Sequence, residues 1–180
     1  MKYWMIFLTV LCCCGQSFTE NDLTTDEATD QCPAGSWNAL IPLMLSDSVP
    51  SGIIGISGMA YGDPTYAGFK AFDQDTTTTW WNGGGVGWIT YDFQTTSVLV
   101  KQWKITSPDG FSPYQYDIQF YGGANTNSMT MLDEISGTFN AQTTITRTIV
   151  NNTRYQVYKW IFVSPTVHSA AAEFQLYGCN

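Results

Sequence analysis

The chain has 180 residues and a formal net charge of −8, from 15 acidic and 7 basic residues. This length is typical of one domain with a short additional segment. Because nucleic-acid phosphates and anionic lipid headgroups attract basic surfaces, the charge argues against a nucleic-acid partner and against tight electrostatic attachment to anionic membranes.

The first seventeen residues have the pattern of a secretory signal peptide. Lys2 supplies a positive charge, the run from Tyr3 to Cys14 is almost wholly apolar, and Gly15–Ser17 offers small residues for cleavage. The run is too short for a confident membrane span. A lipoprotein cysteine at Cys12 is an alternative, but the small residue expected just before it is missing. We therefore predict that residues 1–17 are removed and that the protein is secreted and extracellular.

Residues 18–31 hold five acidic residues and no basic one. Such a segment cannot bury enough surface to offset its ordering entropy, so we interpret it as a flexible acidic linker. The domain then comprises residues 32–180. It retains two cysteines, Cys32 and Cys179, and an isolated pair in an exported protein indicates a disulfide bond, with two free thiols as the alternative. Closing so long a loop is worth about 5 kcal/mol in the chain-entropy model.

Segments with strand-like patterns dominate the second half of the domain. Residues 48–65 are rich in Gly and Pro and predict a loop with short extended pieces, and residues 67–72 allow one helical turn. The predicted strands are residues 88–93, 98–106, 114–121, 143–150, 155–163 and 174–177. No window keeps apolar residues at helical spacing. The pattern predicts an all-β, single-domain antiparallel β-sandwich or jelly roll.

Asn151-Asn152-Thr153 is a glycosylation sequon between two predicted strands. A connection between strands is expected to lie at the surface, so we predict that Asn151 is presented there and carries a glycan if the host is eukaryotic.

The segment from Lys70 to Trp81, KAFDQDTTTTWW, is rich in oxygen donors. Its two carboxylates, four threonine hydroxyls and loop carbonyls are the ligands that a hard cation such as Ca²⁺ accepts in irregular geometry. Four β-branched threonines in a row are unfavourable in a helix. The alternative is a surface turn whose Asp side chains accept hydrogen bonds from their own backbone.

Three segments in register resemble the discoidin-like domains of the coagulation factor 5/8 C-terminal type. They are KAFDQDTTTTWW, GWITYDF at residues 87–93 and AAEFQLYG at residues 171–178. These domains belong to the galactose-binding-like superfamily, which includes the family 32 carbohydrate-binding modules. The resemblance implies a β-sandwich with linked ends and a binding function without catalysis.

The resemblance also implies a structural calcium site. Its ligands would be the carbonyls of Lys70, Asp75, Thr78 and Ala172, the hydroxyl of Thr78, and the carboxylates of Asp73 and Glu173. A divalent ion would explain Glu173, an acid between three alanines and an apolar strand, where an unpaired buried charge is costly. The sequence departs from the family at Gln74, where Gly is common. A left-handed backbone there would cost Gln about 1–2 kcal/mol.

The resemblance places the ligand on loops at one end of the sandwich. A sugar site needs an aromatic ring to stack on the pyranose and a few polar groups for its hydroxyls. The candidates are Tyr61, Tyr66, Trp81, Asn82, Phe111, Tyr114 and His168. Since alternation would bury only one of two adjacent tryptophans, we predict that Trp80 is in the core and Trp81 is partly exposed. An arginine near the aromatic is usual, but the sequence does not place Arg147 or Arg154 at this end.

Catalysis is not expected. After signal removal the chain has one histidine, His168, and no spare cysteine, and it contains no Gly-x-Ser-x-Gly motif. One histidine is too few for a catalytic zinc site. Asp73 and Asp75 could in principle act as a carboxylate pair, but a calcium loop explains them better than glycoside cleavage does.

We therefore expect glycans or glycoproteins as partners. The alternative is adhesion to protein or phospholipid through exposed loop aromatics such as Phe111. A lone domain would bind one sugar weakly, so useful avidity would require homo-oligomerisation or a partner chain.

Overall fold

The computed structural model describes residues 32–33, 35–110, 114–163 and 168–180, with the side chains at 114 and 115 excepted. The predicted signal peptide and acidic linker, and Phe111, lie outside these residues. Within the described part of the chain no helix has the length and apolarity needed to cross a membrane.

Strands account for most of the regular structure. The strands are β1 (Asn38–Ala39), β2 (Ile53–Ile56), β3 (Trp80–Trp81), β4 (Gly87–Asp92), β5 (Leu99–Thr106), β6 (Tyr114–Asn125), β7 (Ser128–Phe139), β8 (Thr144–Thr148), β9 (Val157–Phe162), β10 (Ala170–Ala171) and β11 (Glu173–Cys179). Three short 3-10 turns lie between β2 and β3, at Ala60–Gly62, Pro64–Tyr66 and Gly68–Ala71. The last of these turns is the helical turn expected over residues 67–72.

Two antiparallel sheets form the sandwich. One has the order β1-β11-β5-β8 and the other the order β2-β4-β9-β6-β7, and β10 pairs with β3 in a small separate ribbon. The all-β antiparallel sandwich predicted from the alternating segments is confirmed. The same alternation fixes the inner face: on β9 the side chains of Tyr158, Trp160 and Phe162 are fully buried.

Aromatic rings fill the space between the sheets. The indole of Trp160 stacks on Phe174 with ring centroids 4.5 Å apart, and Phe120 stacks on Tyr158 at 5.6 Å. Rings of this size bury more apolar surface than aliphatic side chains do, and truncating one to Ala typically costs about 3–5 kcal/mol. The core therefore fixes the strands from which the connecting loops extend.

Cys32 and Cys179 form the predicted disulfide, with their Cα atoms 5.7 Å apart. Cys179 ends β11 and pairs across the sheet with Leu99 at the start of β5. The bond therefore ties the first described residue to the last strand at one end of the sandwich.

The longest edge strand was not predicted. β7 has twelve residues, of which only Phe139 is buried, and it pairs along its length with β6. Because most of its side chains face solvent, it lacks the alternation by which the other strands were recognised. Its carboxylate at Asp133 binds Arg147 of β8 through two hydrogen bonds of 2.8 and 2.9 Å, which joins the edges of the two sheets.

The predicted surface presentation of Asn151 is wrong. Its side chain is 5% exposed, its Nδ2 donates to the carbonyl of Val100 at 3.1 Å, and its Oδ1 accepts from the backbone N–H of Thr153 at 3.0 Å. Attachment of a glycan to Nδ2 would require this buried contact to be lost. Glycosylation at this position in the folded domain therefore conflicts with the structure.

The strand register defines two ends of the sandwich. Glu173 pairs with Thr106, Thr106 pairs with Thr144, and Gly87 pairs with Phe162, so these residues mark one end, which we call the Trp81 end. The disulfide lies at the other end, which we call the disulfide end.

Candidate functional site

The two adjacent tryptophans of β3 face opposite sides, as predicted. Trp80 is fully buried, contacts Phe162, and donates its indole N–H to the carbonyl of Gly58 at 3.2 Å. Trp81 is half-buried, on the other side of the strand. One tryptophan therefore anchors the strand in the core while the next is offered to solvent.

Three further rings surround Trp81. The ring centroids of Tyr66, Tyr61 and His168 lie 5.0, 5.7 and 4.9 Å from that of Trp81, and all three rings stand nearly perpendicular to the indole. Edge-to-face contacts of this kind fix the orientation of the rings. Four of the seven predicted ligand residues thus form one cluster. We call it the aromatic corner; its members are Tyr61, Tyr66, Trp81 and His168.

Tyr61 is the most exposed member of the aromatic corner. Its side chain is 90% exposed, and its backbone has φ 57°, the left-handed region that costs a residue with a Cβ about 1–2 kcal/mol. Exposure of an aromatic ring and strain in its backbone are both unfavourable for stability. Such a combination is typical of residues kept for binding.

The turn that follows Tyr61 is held by Asp63. Its Oδ1 accepts from the backbone N–H of Thr65 at 2.9 Å, and Pro64 begins the next 3-10 turn, which ends at Tyr66. Asp63 was not among the predicted site residues, although an Asp directly before a Pro is a recognisable turn signal. It places a carboxylate between the two tyrosines in sequence.

Asn82 makes contacts within its own loop. Its Oδ1 accepts from the backbone N–H of Gly84 at 3.1 Å, and its Nδ2 donates weakly to the carbonyl of Val86 at 3.4 Å. A Cβ at Gly87 would lie 2.3 Å from this Nδ2, so only Gly leaves room for the amide. Asn82 therefore shapes the glycine loop from within, and its contact with a ligand stays a prediction.

Two other predicted ligand residues cannot be placed in the aromatic corner. Phe111 lies outside the described residues. Tyr114 begins β6 opposite Phe139, and its backbone is at the Trp81 end, but its side chain is not described.

The two arginines considered as sugar ligands lie elsewhere. Arg147 is engaged by Asp133 at the sheet edges. Arg154 donates to the carbonyls of Ser97, Cys179 and Asn180 at the disulfide end. Neither reaches the aromatic corner.

A second cluster, built of oxygen atoms, precedes β3 in the chain. The hydroxyl of Thr78 lies 3.2 Å from the carbonyl of Lys70, 2.8 and 2.9 Å from the carboxylate oxygens of Asp73, and 3.0 Å from the carbonyl of Asp75. A hydroxyl has one proton and can donate to only one acceptor at a time. The remaining oxygens face one another without an intervening hydrogen, which a hard cation would compensate.

Glu173 faces this loop from β11. It is 6% exposed, and its Oε2 accepts from the backbone N–H of Gln74 at 3.0 Å. Burial, reinforced by the charges of Asp73 and Asp75, raises the pKa of Glu173 to about 8. The carboxyl also borders a cavity of about 230 Å³ on the outer face of the sheet, beside Thr76 and Lys104.

The backbone of Gln74 adopts the left-handed conformation that the resemblance implied, with φ 59°. This conformation turns its N–H toward Glu173. The loop therefore accepts the strain of a non-glycine residue at the point where it contacts β11.

The other predicted metal ligands are only partly suited to that role. The carboxylate of Asp75 accepts from Thr77, so only the Asp75 carbonyl belongs to the oxygen cluster. The ammonium of Lys70 lies 3.5 Å from Asp73 and partly offsets its charge. Ala172 is buried and directly precedes Glu173, with its N–H bound to Thr106. Within the described residues no three His, Cys, Asp or Glu side chains form a group that could hold a metal, so an ion here would need carbonyls and a hydroxyl in addition to carboxylates.

No family model matches the sequence, and no curated protein matches it. Solved structures do. An F5/8 type C domain from Bacteroides fragilis has a TM-score of 0.62 at 16% identity, covering 81% of this chain and 99% of that one. A family 32 carbohydrate-binding module from Clostridium perfringens, in complex with galactose, has a TM-score of 0.59 at 12% identity, covering 70% and 93%. A chitosan-binding module from a Paenibacillus chitosanase/glucanase has a TM-score of 0.58 at 16% identity, covering 71% and 95%.

These likenesses confirm the fold expected from the three sequence segments. The chain is a discoidin-like β-sandwich of the kind found in F5/8 type C domains and family 32 carbohydrate-binding modules.

Proposed function

We propose that the protein is a secreted, non-catalytic carbohydrate-binding domain whose ligand stacks on the aromatic corner. The observation that carries this proposal is the exposed Tyr61 ring standing perpendicular to the half-buried Trp81 indole. The apolar face of a pyranose packs on such rings, and nearby polar groups can bind its hydroxyls. Ligands proposed for this end are cell-surface or matrix glycans.

The neighbours in fold support this choice of ligand. The Clostridium module holds galactose, and the Paenibacillus module is named for chitosan. The fold alone does not determine function, so the proposal depends on the rings that this chain itself exposes. Secretion rests on the signal-like residues 1–17.

A glycan array with the folded domain tests the proposal. Trp81→Ala is expected to reduce binding at least tenfold, on the scale of about 1.4 kcal/mol or more, because it removes the central ring of the corner. Trp37→Ala is the matched control, since Trp37 is also half-buried but lies next to Cys32, at the disulfide end. A blank array from a folded domain would favour the alternative, adhesion to protein or phospholipid. Equal losses in the two variants would contradict the assignment of the site.

We further propose that the oxygen cluster around Thr78 holds a structural calcium ion. The residues that would hold it are Lys70, Asp73, Asp75 and Thr78, with Glu173 and Ala172 contributed from β11. The ion would supply positive charge to carboxylates that the fold brings together, and it would take no part in a reaction. Since β3 follows this loop directly, a fixed loop would also fix the position of Trp81.

Weak binding by one domain is expected to be strengthened by avidity. If copies associate, several aromatic corners would engage neighbouring sugars at a high effective concentration.

A further inference from the structure

The segments that connect the strands at the Trp81 end carry net negative formal charge: residues 68–79 hold Asp73 and Asp75 with Lys70, and the other segments hold no Lys or Arg. These other segments are residues 57–67, 82–86, 107–113, 140–143 and 163–169. Together they contain two carboxylates, Asp63 and Asp109. The aromatic corner therefore lies at an end of the molecule where carboxylates outnumber lysines and arginines.

Every Lys and Arg side chain of residues 32–180 contacts a residue outside the aromatic corner. Arg147 is bound to Asp133, Arg154 lies at the disulfide end, and Lys101 binds Asn151 and Asn152. The three remaining lysines lie over rings that are not part of the corner, Lys70 over Phe69, Lys104 over Tyr177 and Lys159 over Trp88, and Lys70 also contacts Asp73. No lysine or arginine is thus placed to receive an anionic ligand at Trp81.

Asp63 is the carboxylate closest in sequence to the rings, between Tyr61 and Tyr66. It is exposed, and the hydrogen bonds from Thr65 hold its pKa below the ordinary value, so it is ionised at neutral pH. Thr65 binds this carboxylate from one side, and the side chain is otherwise open to solvent and to a donor in a ligand.

The rings provide a second attraction of the same sign. The face of an aromatic ring carries negative electrostatic potential and attracts cations within about 6 Å of its centroid. Tyr61 is 90% exposed, and Trp81 and Tyr66 are partly exposed beside it. Exposed rings next to an ionised carboxylate form a set of groups that favours a cationic ligand.

We propose that the aromatic corner and Asp63 select a glycan bearing a protonated amine, an amino sugar, over neutral sugars and against uronic acids. This inference rests on the proposed carbohydrate-binding function and narrows its ligand class. The sugar ring stacks on the aromatic corner, and its ammonium group lies between a ring face and the Asp63 carboxylate.

The test compares three oligosaccharides of equal length by isothermal titration of the full domain: a glucosamine oligomer, its N-acetylated counterpart and a uronate oligomer. All are measured at one pH, about 6, at which the amine is protonated. The glucosamine oligomer is expected to bind about fivefold or more tightly than the acetylated one, with the advantage decreasing at high salt. The uronate is expected to bind most weakly.

Asp63→Asn tests the residue assignment, because the amide keeps an oxygen that can accept from Thr65. The advantage of the amine over the acetylated sugar should fall about two- to threefold. Asp92→Asn is the matched control: Asp92 also accepts from a backbone N–H two residues on, at Gln94, but it ends β4 at the disulfide end. It should leave the preference unchanged.

The outcomes separate this inference from the function on which it rests. Equal binding of amine and acetylated oligomers, or tighter binding of the uronate, would overturn the charge selection and leave carbohydrate binding intact. Failure of all three, together with a blank glycan array, would overturn the proposed function. A lysine-rich peptide that bound as tightly as the amino sugar would show general attraction of cations and would overturn the glycan assignment.

Discussion

The aromatic corner and the oxygen cluster lie next to each other in the chain and differ in what they leave unsatisfied. At the corner, the rings of Tyr61 and Trp81 remain exposed to water, which is a cost in apolar surface. In the oxygen cluster, the acceptors around Thr78 outnumber the available hydrogens, and Glu173 beside them is buried, which is a cost in electrostatics. The first cost is relieved by a ligand with an apolar face, and the second by a cation or a proton.

The largest expected effect concerns the electrostatic side of this comparison. With calcium removed, the pKa of Glu173 is about 8 in the folded state against 4.5 as its ordinary value. Because the folded carboxyl holds its proton more tightly, stability is fully present below about pH 4.5 and is lost as the pH rises towards 8. At about pH 7 the loss is on the order of 3 kcal/mol.

Urea denaturation in chelator at several pH values measures this loss. Glu173→Gln should remove most of the decline between pH 4.5 and 8. Glu134→Gln, at the exposed glutamate of β7, is the control and should behave as the wild type does. A wild-type curve as flat as that of Glu173→Gln would show that burial does not perturb this carboxyl.

A somewhat smaller effect is expected from adding calcium. At a free concentration a hundred times its Kd, an ion that binds only the folded state stabilises it by about 2.7 kcal/mol, which is a rise in Tm of about 5–10 °C for a domain of this size. The rise should be greater at pH 8 than at pH 5, because the ion binds ionised Glu173 and displaces its proton.

Thr78→Val should reduce the calcium-dependent rise in Tm by removing the hydroxyl at the centre of the cluster. Thr146→Val changes the same atoms on an exposed position of β8 and should leave the rise intact. Differential scanning calorimetry with calcium and with chelator distinguishes the two. If the Tm of the wild type does not change with calcium, the calcium proposal is contradicted.

The smallest expected effect is the change in stability when the strained backbone of either region is relieved. Tyr61 and Gln74 both have φ near 60°, so replacing either by Gly should stabilise the protein, by about 0.5–1 kcal/mol after the entropy of Gly is subtracted. Only Tyr61→Gly should also weaken glycan binding. Chemical denaturation and titration of each variant test this, and a binding loss of the same size in Gln74→Gly would show that the two regions are coupled.

The sequence pattern predicted the fold and much of the site. Alternation identified β9 and β11, and the rule that adjacent residues of a strand face opposite sides placed Trp80 inside and Trp81 outside. The resemblance located the left-handed Gln74. These features depend on local sequence or on motifs with fixed spacing.

Features set by tertiary contacts were not predicted. β7 pairs through its backbone and exposes most side chains, so no hydrophobic alternation marks it. Asn151 belongs to a surface sequon by sequence, but Val100 captures its amide. The space that Gly87 leaves for the Asn82 side chain was also not predicted. These features depend on contacts in the folded domain that the local sequence pattern does not show.

The disulfide has a consequence for attaching the domain to anything else. Cys32 and Cys179 lie at the end of β11 opposite to Glu173, and seven residues of extended strand separate the two ends by roughly 20 Å. A fluorophore, a resin or another polypeptide attached to the chain beside Cys32 or Cys179 would lie at the end of the sandwich opposite to Tyr61 and Trp81. On a surface coated through these points, every copy would turn its rings toward the solution.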